Sequence, residues 1–254
     1  MSGSPVTLVV PRRFRGPATS GNGGWTSGAL VTLLAGTGPA PHPPFRVRLS
    51  APPPLETPLQ VSEGRALLDG RVVLEASELG DVEARDLLVP VPPVSYEAAV
   101  EAGDRYAGLG EHPFPECFGC GPARPAGDGL RLRPGPVPGA DAERVVAAAW
   151  VPAESVVDDL GLVPVPVLWA ALDCPGGWAV DISGRPMVLG TMAAWVHGRP
   201  QAGEPLVVTG RAVEVSDRKA TTSTTLYRSA TREVLAVAAH VWVVVDPATF
   251  GARS

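Results

Sequence analysis

The chain has 254 residues, 45% hydrophobic and 19% charged, enough apolar material for one large domain or two ordinary ones and too much for a disordered chain. A net charge of −5 excludes a basic footprint for nucleic acid, and no apolar run reaches the roughly 18 residues of a membrane span. Met1 to Thr7 lacks the basic start and apolar core of a signal peptide, and three cysteines, an odd number, argue against a disulfide framework and for a reducing cytoplasm.

In chain order, Val6–Val10 reads as a strand, and Gly21 to Ala35 as a glycine turn opening a short apolar helix. After a loop at 36–44, Phe45–Ser50 alternates apolar and basic residues, as a half-buried strand does. Pro58–Leu68, Arg71–Leu79 and Asp81–Val91 continue as strands, with hairpin turns at Asp69-Gly70 and Gly80-Asp81. The connector that follows holds a short helix at Ser95–Ala102 and the segment Glu111 to Pro115. Strands are then expected at Gly129–Arg133, Arg144–Val151, Val188–His197, Pro205–Ser216, Lys219–Arg228 and Val234–Asp246. Lys219–Arg228 is threonine-rich with one polar face, whereas Val234–Asp246 is apolar on both faces, as a central strand would be.

Between these strands lies the stretch from Pro164 to Trp178. From Val165 to Leu172 only Trp169 carries a polar side-chain atom, so this helix must be buried all round. Pro164 and Pro166 fall in the first turn, where a missing N–H costs nothing, and Pro175-Gly176-Gly177 reads as the stop. Asp173 is the one charge at the end of this apolar run. A buried carboxylate there needs a partner or a task; the plain alternative is an Asp that has reached the surface or caps the next turn.

The two halves repeat as strand, buried helix and meander, with a period of about 140 to 150 residues. Pro58-Leu-Gln-Val echoes Pro205-Leu-Val-Val at corresponding places. This order resembles the double hotdog proteins of the acyl-CoA thioesterase-like superfamily. The run from Cys117 to Arg133, with its Cys-Phe-x-Cys-Gly start and Gly-Leu-x-Leu end, is similar to the opening of many such domains. The resemblance implies an α+β fold of two antiparallel sheets, joined edge to edge, each wrapped around a central helix. The helices are Ala29–Leu34 and Val167–Leu172; the N-terminal half is 1–92, the linker 93–116 and the C-terminal half 117–254.

In that family the helix often opens with His-Gly-Gly and carries an acid nine residues after the His. Here Asn22-Gly23-Gly24 keeps the opening, but Val31 stands where the acid would be; in the second half Asp173 is the acid, and Pro164 stands where the His would be. Nine residues of helix rise about 13 Å, so an acid cannot serve its own helix start. In antiparallel neighbours Asp173 would face Asn22, Gly23 and Gly24. One composite site is expected, with Asp173 as general base or nucleophile, Asn22 positioning the carbonyl or water, and the glycine N–H groups stabilising an oxyanion. The alternative is that the glycines only make a tight turn. Pro164 and Pro166 leave the opposite end, beside Val31, short of donors.

Arg124, Arg131 and Arg133 are candidates for the phosphates of coenzyme A, which enters as part of the substrate and not as a cofactor; a solvated loop is the other reading. His112, Cys117 and Cys120 have the spacing of three zinc ligands but no fourth in sequence, so no metal is expected and the thiols should be reduced. Cys174 reads as a buried thiol, and His197 and His240 as strand histidines without a chemical role. Three functions follow: a hydrolase of acyl-CoA or related thioesters, a non-catalytic acyl-binding module, or a hydratase or dehydratase, which would want a His beside the Asp. The expected partner is a small-molecule acyl thioester, with room for a homodimer and no role for nucleic acid or a membrane.

Overall fold

The structure is a computed structural model and describes residues 6–36, 38, 40–139 and 145–246. Arg144, residues 37 and 39 of the expected loop, and the first five residues lie outside this set. The N-terminal elements are β1 (Thr7–Leu8), α1 (Gly23–Ala35), β2 (Phe45–Leu49), β3 (Leu59–Ser62), β4 (Arg65–Leu68) and β5 (Arg71–Glu78). Two helices, α2 (Asp81–Leu87) and α3 (Tyr96–Asp104), lead to β6 (Gly135–Pro136) and β7 (Val145–Trp150). Then come α4 (Val165–Trp178), β8 (Met187–Val196), β9 (Leu206–Val215), β10 (Lys219–Arg228) and β11 (Val234–Val244).

The strands form one antiparallel sheet of 11 strands in the order β1-β3-β4-β5-β2-β8-β11-β10-β9-β7-β6. The two expected sheets are thus one continuous sheet, joined where β2 pairs with β8, Phe45 opposite Ala194 and Val47 opposite Met192. On the N-terminal side of this seam the order is β1-β3-β4-β5-β2; on the other side β7-β9-β10-β11-β8 has the same sequence of positions. The repeat read from the sequence is therefore a repeat of strand order, and β3 and β9, which carry the Pro-Leu echo, occupy equivalent places.

Several expected elements differ. Pro58–Leu68 is two strands, because Glu63 and Gly64 adopt positive φ of 49° and 77° and turn the chain back. Asp81–Val91 begins as helix α2: Gly80 is its N-cap, Asp81 and Glu83 sit in the first turn and Arg85 in the last, the charge order a helix dipole favours. No strand forms at Gly129–Arg133. Helix α4 does not stop at Pro175-Gly176-Gly177 but runs through to Trp178. The glycines are there for proximity: a Cβ on Gly176 would lie 2.7 Å from Thr222 Oγ1, and one on Gly177 3.1 Å from the Trp242 ring. Pro175 removes the N–H that Ala171 O would receive, and Thr224 Oγ1 donates to the next carbonyl, Leu172 O, at 2.9 Å.

Helices α1 and α4 cross antiparallel under the sheet. A Cβ on Gly24 would come within 2.5 Å of Trp169 O and 2.6 Å of Asp173 Cβ; one on Gly28 would come within 2.8 Å of Pro166 Cα. The two glycines, one turn apart, let the backbones approach so closely. Helix α4 is buried from Val167 to Trp178, as its apolar sequence demands, whereas Leu33 and Leu34 at the end of α1 are exposed. On the opposite face of the sheet, α2 packs Ala84 and Leu88 against Ala193 and Val237, while α3 packs Ala99 and Ala102 against Val145 and Val207. That second layer explains why β11 is apolar on both faces. It also covers the threonines of β10: Thr224 meets α4, and Thr225 on the other face accepts from Val91 N at 2.9 Å.

Two stability consequences follow from this packing. Gly28→Ala should lower the unfolding free energy by about 1 to 3 kcal/mol, since Pro166 and Trp169 must shift, seen as a lower urea midpoint at unchanged slope. His240 lies buried against Thr222, and burial pulls its pKa from 6.5 to about 4, outweighing the carbonyls of Thr222 and Leu172. The unfolded chain takes up this proton near pH 6.5 and the folded chain only near pH 4. The stability is therefore whole above pH 6.5 and falls as pH drops through that window, by about 3 kcal/mol. His240→Gln should flatten the decline in denaturation curves taken across it; an unchanged decline would assign the effect elsewhere.

Candidate active site

The site begins at the N-terminus of α1. Asn22 is the N-cap: its Oδ1 accepts from Trp25 N at 2.8 Å, which fixes the side chain. That leaves its amide Nδ2 to donate to Asp173 Oδ2 at 2.9 Å. Gly24 N, one of the helix-start donors with no acceptor inside the helix, reaches the same oxygen at 2.9 Å. The antiparallel crossing thus brings Asp173 onto the start of the neighbouring helix, and the carboxylate gains both hydrogen bonds and the positive end of the helix dipole.

Asp173 is 3% exposed, so the alternative of an acid that has reached the surface does not hold. Its Oδ1 is buried with no hydrogen-bond partner. Burial pushes the pKa up to about 7; the Gly24 N–H pulls it down, nearby Cys117 pushes it up, and the Asn22 amide pulls it down. Asp173, Asn22 and Gly23 line a cavity of about 280 Å³ whose other walls include Leu49, Pro53, Met187, Leu189 and Trp242. Gly23 occupies the first helical position, where α1 supplies no acceptor for its N–H. Gly24 N–H, expected to meet an oxyanion, is instead engaged by Asp173 itself.

Sulfur forms the adjoining wall. Cys117, Cys120 and Cys174 are free thiols, all buried, and their Sγ atoms lie within 4.8 Å of one another. Cys117 and Cys174 are 3.6 Å apart, Asn22 Nδ2 reaches Cys117 Sγ at 3.7 Å, and Trp178 Nε1 donates to Cys120 Sγ at 3.4 Å. The Cys117 thiol is pulled down by hydrogen bonds from the other two sulfurs. That of Cys120 is pushed up first by burial, and that of Cys174 by the bond to Cys117. His112 Nε2 stands 3.3 Å from Cys120 Sγ. The sequence brought His112, Cys117 and Cys120 together by spacing; Cys174 arrives only through the fold, and its place next to Asp173 was the one available sign.

The arginines behave differently from expectation. Arg124 is buried, and its donors are spent inside: Nε to Glu116 O at 2.8 Å, Nη1 to Asp128 O at 2.7 Å, Nη2 to Arg13 O at 2.6 Å. It locks the connector beneath Phe118 and is not available to a phosphate. Arg131 and Arg133 do not line the cavity. Nor do His197 and His240; Val31 is buried in the core.

No family model and no curated protein sequence matches the chain. Solved structures do. The Mycobacterium avium subs paratuberculosis tesB protein matches at 16% identity with a TM-score of 0.55, over 91% of this chain and 89% of that one. The chain has a hotdog fold. Shorter matches include zebra fish thioesterase superfamily member 2, at 16% identity and a TM-score of 0.37 over 40% of this chain and 75% of that one. A hypothetical thioesterase with coenzyme A from Streptococcus pneumoniae TIGR4 matches at 14% identity and 0.38, over 40% and 78%. Among the described residues of this hotdog chain no helix is long and apolar enough to cross a membrane.

Because Arg124 holds three backbone carbonyls, Arg124→Met should destabilise the protein by about 2 to 4 kcal/mol. Arg124→Lys should recover little of that, since an ammonium cannot reproduce the fork. Urea denaturation curves check both variants, as a lower midpoint at unchanged slope.

Proposed function

We propose that the chain is a double hotdog enzyme, its halves at 1–92 and 117–254, that hydrolyses acyl-CoA or a related thioester at one composite site. The observation that carries this reading is the Asp173 carboxylate at the wall of an apolar cavity: one oxygen is clamped by Gly24 N–H and the Asn22 amide, and the other is buried without a hydrogen-bond partner. A fixed carboxylate with one free oxygen suits a general base. In the proposed step Asp173 Oδ1 takes a proton from water as the water oxygen attacks the thioester carbonyl carbon. The tetrahedral oxyanion is met by the Gly23 N–H, and collapse breaks the C–S bond, the thiolate receiving the proton that Asp173 holds. The apolar wall of Leu49, Met187 and Leu189 suits an acyl group, and the free buried thiols fit a reducing compartment.

A second reading has its own support. Gly24 N–H and the Asn22 amide are spent on Asp173, which suits a module that binds an acyl thioester without cleaving it. Among the described residues that line the cavity with Asp173 the one histidine is His112, which is engaged with Cys120, so a hydratase is less well served. Asp173→Asn separates the two. The amide keeps an acceptor for both donors, so the fold should persist, while hydrolysis across a panel of acyl-CoA substrates should fall by roughly 100-fold or more in kcat/KM. Asn22→Ala should cost less, because the Gly24 contact remains. Equal hydrolysis by Asp173→Asn and wild type would overturn Asp173 as the base, and none by either with binding intact would leave the binding reading.

A further inference from the structure

The three-sulfur wall is more than packing. Cys117 and Cys120 sit on a turn closed by Gly121 N to Cys117 O at 2.9 Å, and Cys174 sits on α4 opposite. A Cβ on Gly119, between the two connector cysteines, would lie 2.5 Å from Cys174 Sγ, so glycine there is what allows the turn to close on the helix. A tetrahedral Zn²⁺ with bonds of about 2.3 Å to sulfur holds its sulfurs about 3.8 Å apart. Cys117 and Cys174 stand at 3.6 Å, and all three Sγ atoms lie within 4.8 Å of one another.

Three of the polar groups around the sulfurs are donors, while the Asp173 carboxylate, close enough to Cys117 for their charges to repel, is an acceptor. Asn22 Nδ2 points to Cys117, and Trp178 Nε1 to Cys120. His112 adds another: Phe114 N donates to its Nδ1 at 2.9 Å, so in the neutral ring the proton lies on Nε2, 3.3 Å from Cys120 Sγ. Three N–H groups thus approach the sulfurs, the arrangement that steadies thiolates on a metal. Thiols buried for packing alone have no need of it.

We propose that Cys117, Cys120 and Cys174 form a three-thiolate site for Zn²⁺, with His112 donating to Cys120 instead of binding the ion, and with the fourth position open to the cavity. All three cysteines and His112 line that cavity, which supplies both the path of entry and room for a water or a soft donor atom of a ligand. This reverses the expectation of metal-free thiols. The spacing of His112, Cys117 and Cys120 lacked a partner in sequence, and α4 provides it. The site stands independently of whether Asp173 hydrolyses a thioester.

The test is metal analysis of tag-free full-length protein, purified without chelator in a thiol reductant, together with Co²⁺ titration of the stripped protein. One equivalent of zinc is expected, and Co²⁺ should give a thiolate-to-cobalt charge-transfer band and an intense tetrahedral visible spectrum, both displaced by Zn²⁺. Cys174→Ser should lose the stoichiometric metal. His112→Leu should keep one equivalent but bind about 10- to 100-fold more weakly. Since a cysteine variant can fail to fold, the wild-type cobalt spectrum decides by itself: no thiolate band in reduced protein overturns the site. Unchanged binding in folded Cys174→Ser, or complete loss in folded His112→Leu, overturns the three-sulfur assignment. None of these readouts uses hydrolysis, so they stand apart from the Asp173→Asn result.

Discussion

The hydrogen bond from Gly24 N to Asp173 Oδ2 is the constraint on which the rest of the molecule depends. A buried carboxylate is costly unless hydrogen-bonded, and here the bonds come from the start of another helix, where unpaired N–H groups and the dipole are already present. The bond can form only if the helices nearly touch, and they nearly touch only because positions 24 and 28 lack side chains. Helix crossing, acid placement and cavity wall are therefore one feature. Gly24, which looks like part of a turn signal in the sequence, is a helix-packing device.

How much of this was legible depends on the range of the interaction. The buried helix from Val165 and the strands β7 to β11 are written in local apolar patterning, and the hairpin at Asp69-Gly70 in turn chemistry that positive φ values of 49° and 76° bear out. The pairing of Asp173 with Asn22 and Gly24 was legible only through the family resemblance, against which each half lacks what the other retains. Helix α2 was missed because Gly80-Asp81 fits a hairpin turn as well as a helix start; Asp81, Glu83 and Arg85, ordered along the helix dipole, were the signal that separates the two. The interior role of Arg124 and the arrival of Cys174 beside Cys117 could not be read, since both depend on where a glycine-proline connector lands on a distant helix.

The two ends of the helix pair are not equivalent, although the strand order repeats. At one end Asn22 caps α1 and donates to Asp173. At the other, Pro164 is the N-cap of α4, with Pro166 in its first turn, and Gly28 packs against Pro166 where a donor would otherwise stand. Val31 fills the position of the missing acid and is part of the core. The pair is a hydrogen-bonded junction at one end and a packing contact at the other.

Asp173 and Cys174 follow one another on α4, so their side chains leave the helix about 100° apart, in the directions 3.6 residues per turn dictates. One meets the start of α1, the other the connector turn at Cys117. The connector is held there from both sides, Phe118 N to Arg15 O at 2.8 Å and Leu130 N to Phe118 O at 2.9 Å, with the Phe118 ring edge-on to Phe14, which stacks on Trp25 of α1. The same few residues of α1 therefore position both neighbours of α4: Asn22 reaches Asp173 and Cys117 with one amide nitrogen. A change in the charge at the sulfurs, whether by metal or by oxidation, must act on that nitrogen and so on the clamp of the carboxylate, which makes the thiol wall and the acid a single electrostatic unit.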